Sequence, residues 1–307
     1  MPSTRSGNVY FASENAGENT IIKFDRKGRH VASFGRKGQG PGEIQNVMAL
    51  AVTDRDELAV TNQGNNRLTV FDPAGNLLRE IPFISNCQAV IPLLNGRFFV
   101  WDHIYNPRPG ILSESPMELA DAKLKALKTL DTGFIENPFA GERLRGTYHI
   151  QSWSVSRDRI FTGQQDRGYD IFVYDFSGQP VRRIRKDYRP LPVPEAHKKE
   201  FLKQFEPPQY KAILAKIYFP DAMPPFIGFT ADEDGRLYVM TYEAGRQPGE
   251  HVFDIFNPDG VLVLRKPIRI YHNFRGASAK VRNGRFYGVI EKENGYKKFL
   301  AYRMIWK

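Results

Sequence analysis

Apolar and polar positions alternate along most of this chain, and one turn interrupts the alternation at long, similar intervals. Ile21 to Phe24 lead into Phe24-Asp25-Arg26-Lys27-Gly28, and Val31 to Phe34 lead away from it. The arrangement returns as Phe71-Asp72-Pro73-Ala74-Gly75, Tyr174-Asp175-Phe176-Ser177-Gly178 and Phe256-Asn257-Pro258-Asp259-Gly260. An aromatic, then Asp or Asn, two turn formers and Gly between strand-like runs predict a hairpin. The Asp or Asn side chain caps the turn, and Gly takes the positive φ that a Cβ resists. A degenerate copy is expected near Phe299 to Tyr302, and another lies hidden in the divergent stretch after Trp101.

A second element recurs in step with the first: a turn residue, usually a polar one, then two or three apolar ones. It reads Gly7-Asn8-Val9-Tyr10-Phe11, Asp56-Glu57-Leu58-Ala59-Val60, Gly96-Arg97-Phe98-Phe99-Val100, Asp158-Arg159-Ile160-Phe161, Gly235-Arg236-Leu237-Tyr238-Val239 and Gly284-Arg285-Phe286-Tyr287. From Phe24 to Phe71 is 47 positions, and from Phe71 to Tyr174 is 103, about twice that interval. A unit of roughly 45–50 residues with about four short strands has the size of a propeller blade. Six such units predict an all-β fold, a six-bladed β-propeller formed by residues 1–307 as a single domain.

Two stretches break the period. Residues 104–137 hold a Pro-rich turn and then Met117-Glu118-Leu119-Ala120-Asp121-Ala122-Lys123-Leu124, which reads as helical, so blade three is expected to carry an insertion. A longer insertion, 187–225, opens with Pro190, Pro192 and Pro194. Its apolar positions then recur at helical steps, Phe201, Leu202, Phe205 and Ile213, Leu214, Ile217, and predict a short helical insertion of two helices between blades four and five. Such an insertion serves as a lid, a partner surface or packing decoration. The first blade opens directly on Val9-Tyr10-Phe11, so its innermost strand is expected upstream of Met1, with any export signal. The compartment is cytoplasmic if Met1 is the native start, and periplasmic or extracellular if an upstream signal has been removed.

Composition narrows the chemistry. With 26 Gly and 21 Pro the chain suits many short strands. Cys87, the one cysteine, excludes an internal disulfide or a thiolate-rich metal site, and its apolar run from Ile84 to Leu93 makes it a small core residue. The net charge of +10 permits nucleic acid, polysaccharide or lipid partners, yet the basic residues are scattered; Arg182-Arg183-Ile184-Arg185-Lys186 is the one dense cluster. No apolar run reaches the ~20 residues of a membrane span, and Met1 to Gly7 lacks the apolar core of a signal peptide. Gly-x-Ser-x-Gly is absent, which leaves a serine hydrolase of that type unsupported.

The segment from Phe34 to Phe71 resembles the NHL-repeat and related bacterial six-bladed β-propeller families. It carries Phe34-Gly35, the loop Gly38-Gln39-Gly40-Pro41-Gly42-Glu43-Ile44, the strand Ala49 to Asp54, and Asn65-Asn66-Arg67-Leu68-Thr69-Val70-Phe71-Asp72. The pattern is complete in blade two, with fragments elsewhere. The resemblance implies the fold and a habit of binding, in families that include scaffolds, RNA binders and a few lyases or hydrolases, some of which use a metal. From the residues alone, the Gly-rich loop is expected to be a structural turn, since no Lys-Ser or Lys-Thr follows it. Asn66 and Arg67 are expected to tie neighbouring blades by hydrogen bonds to backbone.

In a propeller the loops entering innermost strands and leaving second strands converge on one mouth of the channel. That places Trp101, Asp102, His149, Asp166, Arg167, Tyr242, Glu243 and Arg275 as candidate ligand-binding residues, a mixture suited to a sugar, peptide or anionic small molecule. His103, His149 and His272 fall at rim positions of three blades; together they would hold one divalent metal ion in the central channel, with Asp102 or Glu243 as base. His30, His197 and His251 read as surface or strand residues. Asp102, Asp166, Glu243 and Glu291 are candidates for paired carboxylates. The leading expectation is a monomeric, non-catalytic module that binds a small molecule, peptide or protein at the channel mouth. A metal-dependent lyase or hydrolase is the first alternative and an RNA-binding propeller the second.

Overall fold

The computed structural model describes residues 4–13, 19–136, 143–147, 151–270, 272–273, 276–277, 279–291 and 297–305. Antiparallel sheets follow one another along the chain and form the six blades of a β-propeller. The chain divides into two compact units, the first comprising residues 1–104, 115–132 and 175–179, the second 105–114, 133–174 and 180–307.

In the first unit, blade one holds β1 (Val9–Ser13), β2 (Thr20–Phe24) and β3 (His30–Phe34). Blade two holds β4 (Val47–Val52), β5 (Leu58–Asn62), β6 (Arg67–Phe71) and β7 (Leu77–Pro82). Blade three is built on β8 (Ala89–Pro92), β9 (Phe98–Trp101), β11 (Ile111–Ala120) and β12 (Ala126–Glu136), with β10 (Ile104–Arg108) as an extra strand against β11; of these strands, residues 105–108, 111–114 and 133–136 are counted with the second unit. One buried apolar cluster joins Tyr10, Ile21, Ile44, Leu58, Val60 and Phe71 of the first two blades. Another joins Leu68, Val70, Val90, Phe98 and Val100 of the second and third. Neither face of a blade is stable alone in water, so each buries its apolar side chains against its neighbour.

The recurring hairpin takes the expected form. Asp25 Oδ1 accepts from the amides of Lys27 and Arg29 at 2.8 and 3.0 Å, and Gly28 has φ +77°. Asp72, Asp175 and Asn257 repeat the bonding, and each strand pair shifts register at the aromatic residue before the turn. That is a type I turn closed by a bulge, whose last position needs a left-handed residue. The hidden copy is Ala120-Asp121-Ala122-Lys123-Leu124: Asp121 accepts from the amides of Lys123 and Lys125, and Leu124 stands at φ +62° where the other copies have Gly.

The helix expected over Met117 to Leu124 is therefore corrected to the end of a strand and a hairpin. Its residues are strong helix formers, but Met117, Leu119 and Ala120 are fully buried in the sheet, and packing overrides propensity. Cys87 is buried as expected but precedes β8 rather than lying in a strand running from Ile84.

The Gly-rich loop is filled by its own carboxylate. Glu43 Oε2 accepts from the Gly40 amide at 2.7 Å, and Arg36 pairs with Oε1. Arg67 Nη2 donates to the carbonyls of Gln39 and Gly40. Asn65, not Asn66, donates to the carbonyls of Gly38 and Glu43; Asn66 serves as a left-handed turn residue at φ +50°. The loop is thus pinned to blade two.

In the second unit, β13 (Leu144–Arg145) precedes blade four, which holds β14 (Gln151–Val155), β15 (Arg159–Gln164), β16 (Asp170–Asp175) and β17 (Pro180–Arg185). The insertion follows with α1 (Glu195–Lys203), a 3-10 turn at Pro208–Tyr210, α2 (Lys211–Leu214) and β18 (Ile217–Tyr218), which pairs in parallel with β13. The second helix is shorter than its periodicity predicts and gives way to β18. Blade five holds β19 (Gly228–Ala231), β20 (Leu237–Ala244), β21 (Glu250–Phe256) and β22 (Leu262–Arg269). A short pair, β23 (His272–Asn273) and β24 (Gly276–Ala277), leads to blade six, with β25 (Lys280–Arg282), β26 (Arg285–Glu291) and β27 (Lys297–Arg303). The degenerate hairpin sought at Phe299 to Tyr302 is the body of β27 instead.

Phe201, Phe205, Tyr210 and Phe219 pack ring to ring as a small core for the insertion. Its two ends are clamped together: Pro192 bridges Ala222, and the Met223 amide donates to the Leu191 carbonyl at 2.7 Å. No helix among the described residues is long and apolar enough to cross a membrane.

Candidate functional site

The second unit brings a set of polar side chains to the end of blades four and five where second strands stop and third strands begin. Tyr169 precedes β16, Lys186 follows β17, Asp254 lies in β21 and Arg265 faces it in register from β22. Asp254 is fully buried, a charge in an otherwise apolar run that ends Ile255-Phe256. Its carboxylate is saturated: Oδ1 accepts from Arg265 Nε at 2.7 Å, and Oδ2 from Tyr169 Oη at 2.9 Å and Lys186 Nζ at 2.5 Å. A buried carboxylate persists only when paired and hydrogen-bonded in this way. Arg265 also reaches Glu243 Oε1 at 2.5 Å, so one guanidinium orients two acids. Burial, helped by the Asp254 charge, pushes the Tyr169 phenol far above its ordinary value and keeps it a donor.

Beside this cluster lies a narrow pocket with room for about one water molecule. Thr241, Tyr242 and Glu243 from the end of β20 form one side, and the neck of the insertion, from Tyr188 to Leu191 and at Pro224 and Pro225, forms the other. Lys186 and Asp254 line its base. Burial raises the Tyr242 phenol to about 12, and its oxygen lies 3.5 Å from Gln165 Nε2, which donates to the Phe226 carbonyl. Thus both ends of the insertion and two strands of blade five fix the walls.

Of the residues expected at a channel mouth, Tyr242 and Glu243 meet in this pocket. Asp166 and Arg167 lie in the exposed 3-10 turn next to Gln165, and Asp166 pairs with Arg145 at 3.4 Å. Trp101, Asp102 and His103 belong to the first unit. Asp102 is buried and accepts from the His103 amide, while His103 Nδ1 lies 3.1 Å from Ser115 Oγ. Desolvation lowers the His103 pKa despite the nearby Asp102 charge. His149 and Arg275 lie outside the described residues, as do the side chains of His272 and Glu291. Among the described residues, no three His, Cys, Asp or Glu side chains come together in ligand geometry.

Sequence reasoning missed Tyr169, Lys186, Tyr188, Arg189, Asp254 and Arg265. The available signal was Asp254 itself, a lone acid between Phe253 and Ile255, facing a strand with Arg265. The dense basic cluster resolves into internal pairs: Arg182 with Asp259, Arg183 and Arg185 with Asp170, and Lys186 with Asp254.

No protein-family model matches the sequence, and no curated protein matches it. Solved structures do. A member of the DUF4221 family from Bacteroides vulgatus aligns at a TM-score of 0.54 and 14% identity, covering 98% of this chain and 91% of that one. A Bacteroides fragilis protein aligns at 0.50 and 12% identity, covering 94% and 82%. The structure of U3-55K aligns at 0.50 and 11% identity, covering 92% and 84%. At such identities the likeness speaks to the fold alone.

Proposed function

We propose that this chain is a ligand- or protein-binding β-propeller, a module whose recognition surface surrounds the narrow pocket of Tyr242, Glu243 and the insertion neck. The observation that carries the reading is the saturation of Asp254 beneath that pocket by Tyr169, Lys186 and Arg265. Groups held so tightly to one another are positioned in advance, and preorganised polar groups against a partly apolar wall are what a binding site requires. They are correspondingly ill placed to exchange protons, which favours binding over acid–base catalysis by this cluster.

The test is a ligand screen by saturation-transfer magnetic resonance on the full chain and on Tyr242→Ala. Binders whose signal weakens at least tenfold in the variant, with the circular dichroism unchanged, support the reading. Binders indifferent to Tyr242→Ala would place recognition elsewhere and overturn it.

A further inference from the structure

We infer that the inner edge of the second unit binds a small carboxylate, held by the Lys280 ammonium beside the Trp153 ring. The site shares no residue with the pocket of Tyr242 and Glu243, so the inference goes beyond the binding reading above.

The placement comes from the order of the blades. β14, β19 and β25 are the first strands of blades four, five and six, and in a propeller the first strand of a blade is its innermost. β19 lies between the other two and touches both. Lys280 on β25 nevertheless brings Nζ to 5.8 Å from the centre of the Trp153 ring on β14. Side chains of two blades that are not neighbours meet across the inner edge, in front of the strand that separates them. Lys280 is open to solvent there, yet desolvation alone lowers its pKa. Protein thus surrounds the ammonium without closing over it, which is the setting of a cleft.

The sequence of these strands makes the cleft electropositive. Gln151 to Val155, Gly228 to Ala231 and Lys280 to Arg282 contain no acid, and their two charged residues, Lys280 and Arg282, are both basic. A cleft walled by protein and lined by one sign of charge gathers ions of the other sign. Lys23, Lys128 and Lys186 each donate to a carbonyl or a carboxylate, whereas Lys280 makes no hydrogen bond or ion pair among the described residues. The Trp153 ring attracts the ammonium on one side but does not neutralise it, and an ammonium has three N–H donors to satisfy. One carboxylate would balance the charge and accept from those donors, in surroundings where such a bond is stronger than on an open surface. The edge of the Trp153 ring offers an apolar flank to a short carbon chain.

Propionate and propionamide share a body and differ in charge. Their binding is followed by saturation-transfer magnetic resonance at constant ionic strength on the full chain, on Lys280→Gln and on Lys280→Arg. Propionate is expected to bind more tightly than propionamide. Lys280→Gln should weaken propionate by roughly tenfold or more, the size of a lost charge-assisted hydrogen bond, and Lys280→Arg, which keeps the charge, should retain it. Amine labelling of the full chain, read by mass spectrometry, locates the anion: propionate should slow labelling of Lys280 and leave that of Lys27 and Lys199, two exposed lysines, unchanged. Absence of propionate binding, binding indifferent to Lys280→Gln, or equal protection of all three lysines would overturn the site. Phosphate binding more tightly than propionate, and sensitive to Lys280→Gln, would overturn the carboxylate.

Discussion

Gly75 and Gly28 occupy the same place in two copies of one hairpin, yet they are held for different reasons. Both have positive φ, +96° and +77°, so a side chain at either meets a backbone cost of about 1 kcal/mol. A Cβ on Gly28 would point into open space, whereas one on Gly75 would stand 2.6 Å from the Phe34 ring of the neighbouring blade. Gly75→Ala should therefore cost a further ~1–3 kcal/mol through overpacking, and urea denaturation of the two variants measures the difference. Equal midpoints would mean that the blades yield freely at this contact. The hairpin acids make a second expectation. Hydrogen bonds from Arg29 and neighbouring amides lower the Asp25 pKa to about 2, and turn hydrogen bonds also lower those of Asp72, Asp121 and Asp175. Folded values below the unfolded ones mean that these groups stabilise the fold above about pH 4, and that their contribution is lost as pH falls towards about 2. Melting temperature should drop across that window, and drop less in the Asp25→Asn variant, whose amide can still accept at the turn.

Three of the hairpins are also gripped by a cation from the preceding blade. Lys23 donates to the Pro73 carbonyl and Lys128 to that of Gly178, both at 2.7 Å, and Arg182 donates to that of Pro258. A turn carbonyl that points at a neighbouring blade needs a donor, and a long basic side chain reaches it while packing its stem. Asp254 does the corresponding work at the other end of blades four and five, where one carboxylate gathers side chains adjoining β16, β17 and β22. Removing its charge leaves Lys186 and Arg265 facing each other across a buried amide, so Asp254→Asn should cost about 3–5 kcal/mol. Chemical denaturation reads this directly, and a loss below 1 kcal/mol would show that solvent screens the cluster. The same variant should loosen Glu243, since Arg265 would lose the anchor that aims it.

The +10 charge of the chain is spread rather than gathered, and its densest basic run is consumed by Asp170, Asp254 and Asp259. Such a molecule should hold RNA only as a diffuse polycation: weakly, without sequence preference, and with an affinity that collapses between low and physiological salt. Filter binding with two unrelated RNA oligonucleotides over a salt series checks this. A strong preference for one oligonucleotide that survives at physiological salt would instead favour the RNA-binding alternative.

The repeated hairpin and the repeated second-strand start were legible because both obey local chemistry. An Asp or Asn that caps a turn and a Gly at positive φ leave their mark in adjacent residues, wherever the blade lies. The copy at Asp121 escaped because Leu124 replaced the glycine and the preceding residues favour helix; their burial in β11 overruled that preference. The candidate site divides the same way. Tyr242 and Glu243 could be placed because the end of a second strand is readable from its start. Asp254, Lys186 and Tyr169 could not, because they lie up to 85 positions apart and only the stacking of blade five on blade four brings them together. Local turn chemistry determined the blades; the pairing of a buried charge with its distant partners was decided by the packing of one blade on the next.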